Sequence, residues 1–168
     1  MKALKYFSYL ILGLFVVFVL IGQLFGKLLY TNKITINKPV EKSWSVLTDR
    51  SKMGNWVKNF KSIELLNGDQ STKYKLIVVD GGEEYEIIET LIESVTNEIY
   101  TIKWENDVLV NKAIYQFSSD GNGTIIEVSE ELEGKGFLMK PIFVFMQEHF
   151  QSETHDSLER FKTFVESH

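Results

Sequence analysis

Polar positions almost vanish from the start of the chain. Tyr6 to Phe25 is twenty residues without a charge, and Leu10 to Ile21 is close to continuous hydrocarbon. At about 1.5 Å rise per residue such a helix spans roughly 30 Å, the thickness of a bilayer's apolar layer. Tyr6, Phe7, Tyr9 and Phe25 lie near its ends, where aromatic rings favour the interface, and Lys2, Lys5 and Lys27 bracket it. A cleaved signal peptide would have a shorter apolar run and a small-x-small exit. The exit here reads Gly22-Gln23-Leu24-Phe25-Gly26-Lys27. The pattern predicts one uncleaved transmembrane helix, with residues 1–30 as anchor and short linker and 31–168 as a separate domain. Lys2, Lys5 and the terminal amine favour an inside N-terminus, while Lys27, Lys33 and Lys38 pull the other way. The reading adopted is a single-pass membrane protein with its domain on the extracytoplasmic side.

Beyond residue 31 the period changes. Lys33 to Asn37 alternates as a strand and stops at Pro39, which has no N–H to donate. Val40, Trp44 and Leu47 recur at helical spacing, and Ser51 is placed to cap a second short helical stretch through Val57. Strand-like runs follow at 62–66, 73–79, 84–93, 99–104, 108–118 and 124–132. Asn67-Gly68-Asp69, Asp80-Gly81-Gly82 and Asp120-Gly121-Asn122-Gly123 mark turns between them. Short turns between consecutive strands predict a seven-stranded antiparallel meander.

Pro141 to Val165 reads as one long closing helix. On a wheel at 100° per residue, Phe143, Met146, Phe150, Phe161 and Phe164 share an arc, with Leu158 and Val165 at its edge. Between Phe150 and Phe161 the inward positions are Thr154 and Ser157, both small and hydroxylated. Small residues leave volume that packed interiors do not leave casually. Either the two hydroxyls look into a cavity, or they bond back to helix carbonyls and neighbours fill the space. The turn from Ile142 to Met146 is apolar all round, so some of it must meet a covering segment (Met53 to Phe60 is the candidate), the bilayer or another protein.

Composition narrows the chemistry. Net charge is −5 and the only arginines are Arg50 and Arg160, which suits neither DNA nor RNA phosphate. There is no cysteine, so thiolate catalysis and Cys-type zinc sites are out. His149 and Glu153 are half of a metal site with no third ligand, and no cofactor-binding motif, nucleophile triad, phosphate loop or calcium loop is visible. Glu84, Glu86, Glu89 and Glu93 read as a solvated sheet face. Glu130 is in phase with Val128 and Leu132; it faces a cavity if they do, or stands in water at a strand end. The aromatics Trp56, Tyr74, Trp104, Tyr115, Phe117, Phe150 and Phe161, with Met146, Thr154, Ser157 and Glu130, are the candidate ligand-binding set.

The order of these features resembles the SRPBCC superfamily, which includes START lipid-transfer domains, the major birch pollen allergen and polyketide cyclase/dehydrase-like proteins. The residues that carry the resemblance are Lys38-Pro39-Val40-Glu41-Lys42-Ser43-Trp44 through Asp49, then Gly54-Asn55-Trp56, Tyr115-Gln116-Phe117, Gly121-Asn122-Gly123-Thr124 and Ser157-Leu158-Glu159-Arg160-Phe161-Lys162. The resemblance covers about 32–167. It implies an α+β helix-grip fold: a curved antiparallel sheet around a long C-terminal helix, with a cavity between them. With the anchor in front, the expectation is a membrane-tethered domain that binds a hydrophobic or lipid-like small molecule. Two alternatives stay open: a cyclase/dehydrase-like enzyme using Glu130 with Thr154 or Ser157, and a non-catalytic interaction or stress-response module docking through Ile142 to Met146, whose protein partner the sequence does not name.

Overall fold

A computed structural model describes residues 2–66 and 71–168. The expected turn at Asn67-Gly68-Asp69 lies outside the described residues. The chain begins with helix α1 (Lys2–Phe25) and passes with one intervening residue into strand β1 (Lys27–Ile36). Helix α2 (Val40–Thr48) and a 3-10 turn (Arg50–Asn55) follow. Six strands then meander: β2 (Phe60–Leu66), β3 (Lys73–Asp80), β4 (Glu83–Val95), β5 (Ile99–Glu105), β6 (Leu109–Asp120) and β7 (Gly123–Gly134). Helices α3 (Gly136–Phe145) and α4 (Gln147–Glu166) close the chain.

The seven strands form one antiparallel sheet in the order β1-β7-β6-β5-β4-β3-β2. β6 and β7 meet through the tight turn at Gly121, whose φ of 60° an L side chain seldom adopts. β7 alternates strictly between half-buried and buried along its length, with no bulge. Register therefore holds every second side chain, from Thr124 to Leu132, on the concave face. β4 has one irregularity, between Leu91 and Glu93.

α4 lies across the concave face. Leu158, Phe161 and Val165 turn inward and join Ile36, Trp44, Val46, Met53, Ile126 and Val128 in the main core. Burying a side chain such as Phe161 contributes about 1.5–3 kcal/mol. A second, smaller cluster gathers Leu28, Tyr30, Leu132 and Phe143 at the end nearest α1.

The structure corrects four expectations. The strand expected from Lys33 begins earlier: Lys27 to Tyr30, expected as the end of the linker, is already paired with β7 from Glu133 to Glu130. The cap of the 3-10 turn is Asp49, whose carboxylate accepts from the Ser51 N–H, not Ser51 itself. The closing helix is two helices, broken at Met146 (φ −106°, ψ 8°). One straight helix could not serve both partners: α4 grips the sheet, while α3 lies against α1. The fourth concerns what covers Ile142 to Met146. α1 lies there, with Phe18 stacked on Phe145 at 6.1 Å between ring centroids. The segment around Trp56 packs instead on Phe161.

Candidate functional site

Between the two apolar clusters the side chains do not meet. A cavity of about 270 Å³ remains under α4. That is the liquid volume of roughly nine water molecules, at the small end of ligand-binding sites. Tyr30, Leu132 and Phe150 form one end; Trp56, Tyr115 and Phe161 line the other. Thr154 and Ser157 of α4 both border the hollow. Where larger aliphatic residues would have reached the sheet, these two leave it open.

Of the four charged residues that border the cavity, Glu130 alone is buried. Glu130 is 5% exposed. Its Oε2 accepts from the Tyr30 hydroxyl at 2.5 Å and from the Thr154 hydroxyl at 3.2 Å. Asn111, diagonally across the β6–β7 ladder, also stabilises the carboxylate. Burial pushes the Glu130 carboxyl above the ordinary carboxylate range, and the bonds from Tyr30, Thr154 and Asn111 draw it partly back. Burial likewise raises the Tyr30 phenol, with the neighbouring Glu130 adding to the effect. Among the described residues no cationic side chain pairs with Glu130. Two other wall residues hold buried atoms with no hydrogen-bond partner among the described residues: Asn111 Oδ1 and Trp56 Nε1. The other charged residues bordering the cavity are paired: Lys58 spans to Glu153 at 3.3 Å, and Arg160 Nε donates to the Trp56 carbonyl at 3.1 Å, tying α4 to the segment after the 3-10 turn.

A sheet wrapped on a helix with a cavity between them has known counterparts. The sequence profile of the family described as "Polyketide cyclase / dehydrase and lipid transport" matches residues 28–166. The chain belongs to this family. Among solved structures, a START superfamily protein from Mycobacterium smegmatis superposes with a TM-score of 0.68 at 14% identity, covering 83% of this chain and 97% of the other. The Zhui aromatase/cyclase from Streptomyces sp. R1128 gives 0.67 at 11%, covering 83% and 94%. A conserved protein from Geobacillus kaustophilus gives 0.68 at 19%, covering 82% and 95%. At such identities the likeness is one of fold. No curated protein matches the chain.

Within this family fold, the candidate residues divide. Trp56, Trp104, Tyr115, Glu130, Phe150, Thr154, Ser157 and Phe161 all border the cavity. Tyr74, Phe117 and Met146 do not. Phe117 packs against Trp44 in the core at 5.3 Å between ring centroids. Met146 sits at the α3–α4 break, partly exposed. Tyr74 lies beside Arg50, whose guanidinium is 5.9 Å from its ring centroid. Thr154 uses its hydroxyl on Glu130 rather than on its own helix.

The sequence pattern suggests a solvated face for Glu89 and leaves Glu130 between cavity and water. Both are buried. Glu89 is fully enclosed, 2.8 Å from Arg50, and accepts from the Trp104 indole at 2.7 Å. Arg50 also donates to the Tyr100 hydroxyl and, at 3.1 Å, to the Leu47 carbonyl. Burial pushes the Tyr100 phenol up to about 12, against the pull of Arg50. This pair stands behind Trp104 and holds that indole in the cavity wall. Of the half metal site, His149 is exposed and Glu153 is engaged by Lys58.

Proposed function

We propose that the protein holds a small hydrophobic or amphipathic molecule between its sheet and α4, on a membrane tether. The observation that carries this is the cavity of about 270 Å³ with aromatic walls, left open where Thr154 and Ser157 stand. A fold that had no use for the space would gain by filling it, since each lost methylene-sized contact costs about 1 kcal/mol.

The tether is α1 together with α3. Leu4 to Phe25 is long and apolar enough to cross a bilayer, and its side chains are largely unburied by the rest of the chain. α3 extends that surface with Phe137, Leu138, Ile142 and Phe145 all exposed. With only Gly26 between α1 and β1, the domain rests against the headgroups, on the extracytoplasmic side in the orientation adopted here. A membrane-derived amphiphile is the natural ligand at that height.

The test is direct. The full chain, purified in a mild detergent, is extracted for co-purifying lipid, and a fluorescent fatty alcohol is titrated into the emptied protein. Recovery of a one-to-one ligand supports the proposal; no ligand and no saturable binding refutes it.

The buried Glu130 favours one second reading, an enzyme of the cyclase/dehydrase kind with this carboxyl as acid or base. Turnover abolished by Glu130→Gln, with binding retained, would favour it over a carrier.

A further inference from the structure

The cavity has one acceptor-rich end. Both hydroxyl donors to Glu130, from Tyr30 and Thr154, converge on a single oxygen, Oε2. Oε1 receives neither. Beside it on the wall, Asn111 keeps a buried Oδ1 that accepts nothing among the described residues. The carboxylate itself fixes which way that amide turns. Its Nδ2 faces Glu130, because the reverse would set two acceptors against each other. A carboxylate this far from water is normally matched by a cation or by a full set of donors. No ion pair to Glu130 exists among the described residues. The two cations that border the cavity are engaged elsewhere, Lys58 with Glu153 at 3.3 Å and Arg160 with the Trp56 carbonyl at 3.1 Å.

We infer that the ligand is an apolar molecule with a hydrogen-bond-donating head, an ammonium or a hydroxyl, which docks on Glu130 and Asn111. The inference rests on the cavity being a ligand site, as proposed above. An ammonium meets the end most fully, since it brings both the missing cation and several N–H donors. A hydroxyl supplies one donor. A carboxylate, phosphate or other anionic head docked at this end would meet the Glu130 carboxylate as a like charge. Trp56 Nε1, the unpartnered donor on another wall, suits an acceptor further along the ligand body. The raised Glu130 carboxyl fits the same picture, because a bound ammonium would draw it back down.

The experiment uses the full chain in lipid nanodiscs and four ligands of one length: octylamine, 1-octanol, 1-methoxyheptane and octanoate. Each has a body near the size of the cavity. Affinities come from calorimetric titration, with empty discs subtracted. The expected order is octylamine, then octanol, then the ether, with at least tenfold between first and third, and octanoate weakest. Glu130→Gln should cost octylamine about tenfold and leave the ether unchanged. Asn111→Leu serves as the second variant and should narrow the same gap. If none of the four binds, the ligand-site reading itself fails. If they bind without preference, or octanoate binds best, the cavity stands as a ligand site and the donor-head inference is overturned.

Discussion

Tyr30 stands directly opposite Glu130 across the β1–β7 ladder, and its hydroxyl donates to the carboxylate at 2.5 Å. The bond stabilises the charged form, yet burial is the larger influence and leaves the carboxyl above its ordinary value of 4.5. The folded chain therefore holds this proton more tightly than the unfolded chain does. The stability so contributed is fully present below about pH 4.5 and is lost as pH rises through the raised native value. Glu130→Gln removes the titration while keeping the shape. The variant is expected to gain on the wild type as pH climbs from about 4.5 towards neutral, by no more than about 1.4 kcal/mol per pH unit. Urea denaturation across that range measures it. A difference that stays constant with pH would show that Glu130 is not the group responsible.

Arg50 and Glu89 are a different case, because each is the other's only buried counter-charge among the described residues. Their side chains are 9% and 1% exposed. Removing one leaves the other charged, dry and alone. Glu89→Leu is expected to destabilise by about 3–5 kcal/mol, and Arg50→Met by a similar amount. The double variant should recover much of that loss, since two apolar side chains can replace a buried pair at little cost. Chemical denaturation of the three variants makes a double-mutant cycle. Strict additivity would mean that the two charges do not depend on each other.

How far these two sites could be read beforehand differs for a physical reason. Glu130 sits in β7, an unbroken alternation from Thr124 to Leu132, so its phase with Val128 and Leu132 already pointed inward. What the phase could not decide was where the core ended. The same logic reaches Glu89, which shares parity with Ile87 and Leu91 and not with Glu84 or Glu86. The four glutamates look like one face only when charge is weighed above period. Arg50, one of only two arginines, was the missing clue. The meander, its order and α4's apolar arc were legible because period and turn residues agree there. The α3–α4 break was not, since Pro141 to Val165 keeps a helical period across Met146. What separates the two helices is α1, a segment more than a hundred residues away.

Ser157 borders the cavity, and among the described residues its hydroxyl has no partner there, which makes it the place to fill the space. Ser157→Leu should occupy a large part of the hollow. If the cavity is an unfilled ligand site, the variant loses ligand affinity by tenfold or more. It also gains about 0.5–2 kcal/mol, which for a domain of this size is a few degrees in Tm. Thermal unfolding in the same detergent, alongside ligand titration, reads both. A destabilised variant with unchanged binding would mean that the ligand does not reach this part of α4.

Gly22 and Pro141 meet where α1 and α3 pack together. A Cβ built on Gly22 would lie 2.2 Å from the Pro141 ring, and one on Gly26 would lie 2.9 Å from the Lys140 side chain. Small residues at helix contacts are what let two backbones approach within a membrane. Gly22→Leu should therefore separate the helices without unfolding the sheet, which is built from other residues. Because the chain has no cysteine, the contact can be read by a single engineered pair, Phe18→Cys with Phe145→Cys, whose parent rings are stacked. Oxidation in membranes should cross-link the pair efficiently, and adding Gly22→Leu should suppress it. A second label separates tether from contact. A fluorophore on Phe137→Cys should be quenched by brominated lipid, while one on Ser119→Cys, at the far end of β6, should not. Quenching at neither position would place α3 in water and remove it from the proposed tether. Undiminished cross-linking in the Gly22→Leu chain would show that the helices pack by some other face.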